Sequence, residues 1–423
     1  MFKFATVQIR LGKSFRALGH RDFRYFWTGQ CISLLGTWMQ RTAQQWLVYS
    51  LTKSPFLLGI LGVFQFGPML LFSLFAGTLV DRFPKRRVLI FTQTVLMIQA
   101  LILALLVWTG QIQYWQILIL ALVMGFVNTL DMPTRQSYFI ELVGKDDLMN
   151  AIALNSAIVN IAKIVGPAIA GIVMLYLGTA ICFFLNGISF IAVLIGLFLI
   201  RTSDTRLRAQ NTKLLADVGE GLKYIASKPV LWSTVLAMFA VGTFAMNMDV
   251  LIPVFAGEVL HRQASGYGFL LAAMGIGSLV GALLVSTRSR RGLSAKILFG
   301  SAVIECLFYL VLGFVHHYEL AMFFIAVIGF FSIIFMTTAN STVQLNSDDG
   351  HRGRVMSVYS LAFAGTTPIG NFFAGSVAEK MGGNFSFVAC GAVTLACIVW
   401  ILLKTKRHVN LVSGDFHNPD NLV

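Results

Sequence analysis

The stretch Gly77-Thr78-Leu79-Val80-Asp81-Arg82-Phe83-Pro84-Lys85-Arg86-Arg87 joins two apolar runs, Phe56–Val80 and Val88–Thr109. Each run is long enough to cross a bilayer, since about 20 helical residues span the hydrocarbon core. A knot of charge between two such runs reads as a loop at the membrane surface. Working outward, the same rhythm recurs along the chain. Six apolar runs lie between Phe23 and Ile200, and six more between Val230 and Leu403. Backbone groups in lipid must bond within their own segment, so each run reads as a helix.

The composition leaves little room for a soluble protein. Of 423 residues, 57% are hydrophobic and only 12% charged, against about 25% charged in an average soluble domain. The net charge of +14 could suggest nucleic acid. The basic residues, however, cluster between apolar runs, without a basic stripe interleaved with aromatics, so no nucleic-acid partner is expected. Cys31, Cys182, Cys306, Cys390 and Cys397 all fall in apolar runs and form no CxxC pair, which gives disulfides and zinc no support. No metal site, cofactor or nucleophile–base pair is expected, and a phosphate-binding GxxxxGK[ST] sequence is missing, so neither an enzyme nor an ATP-driven pump is indicated.

Charge distribution sets the expected orientation in a bacterial inner membrane. With both termini cytoplasmic, all but five of the 32 Lys and Arg residues lie on that side or in its loops; Lys53, Arg262 and Lys380 fall outside, while Arg41 and Lys163 fall within spans. The expected organisation is a cytoplasmic tail at 1–22, a six-helix bundle at 23–200, a cytoplasmic linker at 201–229, a second bundle at 230–404 and a tail at 405–423. Within the linker, Leu214, Leu215, Val218, Leu222 and Ile225 share one helical face, which predicts a short helix on the membrane surface. A partner-docking helix is the competing reading.

The two bundles are repeats. Asn150–Gly171 aligns without a gap on Arg354–Gly375 at an offset of 204 residues, pairing Gly166 with Gly370 and Gly171 with Gly375. The same offset pairs Gly77 with Gly281 and Arg86 with Arg290. Two distant segments sharing one offset indicate duplication of a six-helix unit.

With these features in hand, the loop Gly77–Arg87 resembles the signature G-x-L-x-D-R-x-G-R-R-x of the major facilitator superfamily, with Pro84 in place of the usual Gly. Gly166-Pro167-Ala168-Ile169-Ala170-Gly171 resembles the GPxxGG element of its exporters, with Ala170 replacing a Gly. His20–Arg24, Asp131–Arg135 and Arg352–Ser357 are similar to the enterobactin-exporter and macrolide-efflux branch. The resemblance implies an all-α integral membrane protein with twelve transmembrane helices in two pseudo-symmetric six-helix bundles. It also implies a central cavity lined by spans 1, 4, 7 and 10.

Polar stripes mark where that cavity is expected. Gln30, Thr37, Gln40, Arg41 and Gln44 recur along span 1, Asn160 and Lys163 along span 5, and Asn247 lies in span 7. Such residues are costly against lipid. In the signature loop, Gly77 allows close helix approach, Asp81 can accept from a neighbouring helix N-terminus, and Arg82, Lys85 and Arg86 are expected to pair with acids at the base of span 4, foremost Asp131.

Arg41, Lys163, Asp249 and Glu305 are ionisable groups inside spans, at about 2.5–3.5 kcal/mol each. They must pair, face a cavity or carry a proton. Asp249 is the first candidate for proton coupling, because Pro253 leaves its carbonyl without the usual helix bond; an ion pair with Arg41 is its structural alternative. Glu305 is the second candidate, with a subunit contact or local polar pair as alternatives. The resemblance implies export of a siderophore or drug, and with these residues the expected function is a proton-coupled exporter of an amphiphilic small molecule. The alternatives are lipid or lysolipid flipping and a non-transporting receptor or sensor.

Overall fold

The structure, a computed structural model, describes residues 15–80, 83–200, 214–288, 295–348 and 350–406. Asp81 and Arg82 of the signature loop, and residues 201–213 of the linker 201–229, lie outside the described residues. Every regular element among the described residues is helical. After a 3-10 turn at Arg16–Gly19, the first six α-helices are α1 (Arg21–Thr52), α2 (Pro55–Val80), α3 (Lys85–Trp108), α4 (Tyr114–Val143), α5 (Leu148–Leu177) and α6 (Thr179–Leu199). After the short α7 (Leu214–Ser227) come α8 (Pro229–Phe244), α9 (Met248–Val254), α10 (Ala264–Arg288), α11 (Ala295–Leu312), α12 (Tyr318–Leu345) and α13 (Arg352–Lys406).

Among the described residues, ten helical segments are long and apolar enough to cross a membrane, α8 and α9 forming one of them. One of the ten, α13, is divided by non-helical Gly382 (φ 81°) into two pieces of spanning length. The remaining span is α1, whose polar stripe lowers its hydropathy although it runs for 32 residues. The total agrees with the twelve spans predicted.

Two elements depart from their predicted form. The apolar run of span 4 stops at Met132, but α4 continues through Pro133 to Val143. A proline in a membrane helix is tolerated when neighbouring groups satisfy the freed backbone. Beside the proline, the Thr134 hydroxyl donates to the Leu130 carbonyl at 2.6 Å; the carbonyl that Pro133 leaves without its helical N–H is that of Thr129. Span 7, in contrast, is broken. Phe244 ends α8, Asn247 caps α9, and Phe255–Val259 closes as a π-turn after Pro253. At that break the Tyr309 hydroxyl of α11 donates to the Ala245 carbonyl.

The chain divides into two compact units, 1–44 with 71–210 and 45–70 with 211–423. In the first, α3 packs along α6 and α4. Its core at one end is aromatic, with Phe26 edge-on to Tyr138 and Phe139 at centroid distances of 5.8 and 6.1 Å. In the second, α10 packs along α12 and α13 along α8. That unit also takes in the hairpin between α1 and α2. There Glu379 of α13 accepts from the Ser54 hydroxyl at 2.7 Å and from the Phe56 N–H at 3.1 Å. The carboxylate thus caps the start of α2, where free N–H groups and the helix dipole favour an anion. Close by, a Cβ on Gly59 would stand 2.5 Å from the Asn371 carbonyl oxygen, so only glycine lets α2 lie this near α13.

The linker helix α7 is docked on protein. Ile225 is fully buried, and Glu220 pairs with Arg354 at 2.9 Å. Tyr224 stacks on His351 at 4.3 Å, Lys228 sits 4.7 Å over the Tyr224 ring, and its ammonium meets Asp348 at 3.0 Å. Hydrogen bonds to Tyr224 and Lys228 hold the Asp348 carboxyl below its ordinary range. Desolvation works to lower the Lys228 pKa, but its contacts with Tyr224 and Asp348 outweigh that and raise it.

Candidate functional site

The first unit carries a chain of buried polar side chains that starts on α1. Gln40 donates to Gln99 at 3.0 Å and accepts from Asn186 at 2.7 Å, which ties α1 to α3 and α6. One end of α1 is held through Gln30, whose carbonyl oxygen accepts from Arg135 of α4. Arg135 also pairs with Asp131, one turn earlier. Asp131 further accepts from the Thr92 hydroxyl at 2.7 Å and the Gln93 amide at 2.8 Å. Full satisfaction of this kind is what a buried carboxylate requires.

That geometry corrects the expected pairing of the signature loop. Asp131 is engaged by Arg135, Thr92 and Gln93, and the described basic residues of the loop go elsewhere. Lys85 reaches Glu141 at 2.8 Å and the Ser137 carbonyl at 3.3 Å. The reason is the extension of α4 past Pro133, which carries Glu141 to the Lys85 end of α3. Arg86 donates to the carbonyls of Leu197 at 2.7 Å and Phe198 at 3.1 Å. It therefore caps the C-terminus of α6, where unpaired carbonyls and the dipole favour a cation. Gly77 lies within α2.

The polar stripe of α1 divides into two kinds of residue. Thr37 turns back on its own helix, donating to the Ser33 carbonyl at 2.8 Å. Gln44 is 1% exposed, and among the described residues neither its amide oxygen nor its nitrogen has a hydrogen-bond partner. Arg41 lies with its guanidinium carbon 4.9 Å from the Trp38 ring centroid, and Lys163 of α5 lies 5.6 Å from the same centroid. Lys163 and Asn160 are exposed; Asn160 donates to the Ser156 carbonyl at 2.9 Å. Sequence reasoning passed over Trp38, although its i, i+3 spacing to Arg41 was available.

In the second unit Asp249 stands half-buried in the first turn of α9. Asn247, at the break, is fully buried and donates to the Thr243 carbonyl at 2.7 Å. Asn247 stands at the N-cap of α9, so it and Asp249 do not share one regular helix. Glu305 of α11 is 1% exposed and accepts from the Ser332 hydroxyl of α12. A cavity of about 400 Å³ lies between α12 and α13, with Thr337, Asn340, Ser341 and Tyr359 among apolar neighbours. No group of His, Cys, Asp and Glu able to hold a metal occurs among the described residues.

Twelve spans, two repeats, polar stripes at mid-span and a signature loop define a multi-pass membrane transporter of the major facilitator class. The chain belongs to the transmembrane secretion effector family of that class, which it matches over residues 13–421. It is a small-molecule transporter and not an enzyme. It is 27% identical over 408 residues to the staphyloferrin A transporter of Staphylococcus aureus, covering 92% of this chain and 97% of that one. It is also 27% identical over 385 residues to the multidrug efflux pump Tap of Mycolicibacterium fortuitum, covering 87% and 92%. Macrolide efflux protein A of Streptococcus pyogenes is 18% identical over 396 residues, covering 92% and 97%. Among solved structures, the nucleoside transporter NupG superposes with a TM-score of 0.73 at 12% identity, covering 91% of this chain and 99% of that one. A bacterial homologue of the human lysosomal transporter Spinster gives 0.69 at 13% identity, covering 91% and 96%. These two likenesses are of fold.

Proposed function

We propose that the protein is a proton-coupled exporter of an amphiphilic small molecule, of the siderophore or drug kind, across the bacterial inner membrane. Both termini lie in the cytoplasm, and the repeats at 23–200 and 230–404 rock about a midplane site. Export is supported by what relatives of nearly full length are named for, a siderophore transporter and drug efflux pumps. The observation that carries coupling is Asp249, an acid half-buried beside the break in span 7. Glu305 is the second proton-binding candidate. One proton crossing 100 mV supplies about 2.3 kcal/mol, enough for roughly a fortyfold gradient.

In this reading the substrate cavity takes contacts from Gln30, Thr37, Gln40, Arg41, Gln44, Asn160, Lys163 and Asn247. The gate is the loop with Gly77, Asp81, Arg82, Lys85 and Arg86, together with Asp131. The test is substrate-driven proton movement in inverted vesicles. Asp249→Asn should bind substrate and lose the dependence of transport on a pH gradient. Wild-type-like proton-coupled transport by that variant removes Asp249 as the carrier, and phospholipid scrambling without substrate transport replaces export by lipid flipping.

A further inference from the structure

Two cations in the first unit converge on one indole. Arg41 approaches Trp38 along α1, three residues on, and Lys163 approaches it from α5. Trp38 lies near the middle of the 32-residue α1, and Lys163 near the middle of the 30-residue α5. Both charges therefore sit at mid-span depth, where a charged side chain is rare and marks a functional pathway.

The convergence is built into the helix packing. A Cβ on Gly166 would stand 2.6 Å from the Trp38 Cβ and 3.3 Å from the Leu35 carbonyl oxygen. Glycine at that position lets α5 close on α1 at the level of Trp38. Lys163, three residues earlier on α5, is thereby laid against the ring. Lys163 is also exposed.

A second observation points the same way. Gln44, one turn beyond Arg41, is 1% exposed and both amide atoms are without partners among the described residues. A buried amide left unsatisfied is destabilising, and a ligand that accepts from it relieves that cost. Neighbouring positive charges raise the local potential and attract an anion. Guanidinium, ammonium and amide N–H groups supply the donors that make strong, charge-assisted bonds to an oxyanion.

We infer that the Trp38–Arg41–Lys163 corner, with Gln44 one turn away, binds the oxyanion of an amphiphilic ligand, a carboxylate on the transported molecule. This rests on the transport reading above and adds the charge class of the substrate. A lipid phosphate shares the same chemistry, so the experiment separates the two sources.

The test uses the full chain in nanodiscs and a matched pair of probes, 4-hexylbenzoate and 4-hexylbenzamide. In phosphatidylcholine discs the wild type is expected to bind the benzoate at least tenfold more tightly than the benzamide. Lys163→Gln should bring that ratio near unity with the benzamide affinity unchanged, and Lys163→Arg should keep it. Trp38→Leu should weaken benzoate binding where Trp38→Phe does not. Equal affinity of the wild type for both probes overturns the inference, as does a ratio that survives Lys163→Gln. If phosphatidylglycerol in the discs abolishes benzoate binding, the site is a lipid-headgroup site and the substrate assignment is overturned. Vesicle transport of both probes without preference also overturns the anion site and leaves export standing. Selective benzoate binding with no transport of either probe overturns export and leaves the site standing.

Discussion

The ammonium of Lys85, at the start of α3, lies 2.8 Å from a carboxylate oxygen of Glu141, in the last turn of α4, and both side chains are almost wholly buried. This is the contact by which the signature loop is fastened to α4. Removing one partner of a buried ion pair leaves an uncompensated charge, at about 3–5 kcal/mol. Lys85→Met and Glu141→Gln should each lower the thermal midpoint of the purified protein sharply. The double variant Lys85→Met/Glu141→Leu should recover most of the loss, because both desolvation penalties then vanish. Independent, additive losses in the double variant would show that the pair is not coupled.

Arg86 and Arg87 are neighbours with different tasks. Arg86 caps the carbonyls of Leu197 and Phe198, whereas Arg87 is exposed. Arg86→Gln should cost about 1 kcal/mol through the open end of α6, and Arg87→Gln less than about 0.5 kcal/mol. Amide exchange in residues 195–200, followed by mass spectrometry, reads the difference. Equal protection in the two variants contradicts the cap.

Gly59 faces the backbone of α13, while Gly300 on α11 faces open space. Gly59→Ala should destabilise by about 1–3 kcal/mol, as overpacking against a rigid carbonyl does. Gly300→Ala should be neutral or slightly stabilising. Melting curves of the two variants under one set of conditions make the comparison, and a neutral Gly59→Ala refutes the close approach.

Docking of α7 should hold only within a window of pH. The Asp348 carboxyl is lowered by its hydrogen bonds to Tyr224 and Lys228. Its contribution is present above the ordinary carboxylate range and fades as pH falls through the lowered value. Lys228 is raised, so its contribution is complete below the ordinary amine range and fades as pH rises through the raised value. Exchange protection of Leu214–Ser227 should therefore fall at both extremes. Asp348→Asn should remove the acid limb, and a limb that persists assigns the acid sensitivity to another group.

Much of the fold was legible because lipid leaves a chain few choices. Apolar runs of bilayer length, the Gly166 and Gly370 repeat and the amphipathic pattern at 214–225 are local signals, and each corresponds to a helix or contact found. The Gly370 repeat holds in detail: a Cβ there would press on the Thr243 carbonyl and Asn247, as one on Gly166 would on Trp38. The partners of charged groups were not legible. Asp131 looked best placed for the loop because the apolar run ends at Met132, and only the continuation of α4 past Pro133 brings Glu141 into reach. The Arg86 cap depends on where α6 ends in space, which no spacing along the chain records. Of the site residues, those on α1 follow from the polar stripe, whereas Trp38 is not part of that stripe and no polar pattern singles it out. Its significance lies in what α5 lays against it.

The seat of Glu379 on the start of α2 also bears on how the protein is made. Ser54 and Glu379 are 325 positions apart, and ribosomes add about 5–20 residues per second. The hairpin at 45–70 is therefore in the bilayer for roughly 15–65 s before the helix that caps it has been synthesised. During that time the start of α2 has no carboxylate and the Gly59 face has no α13. A nascent chain stalled before Asn371 has its first repeat synthesised, yet the hairpin within that repeat still lacks the helix it packs on. That hairpin stays without its partner surface until the last helices have been translated.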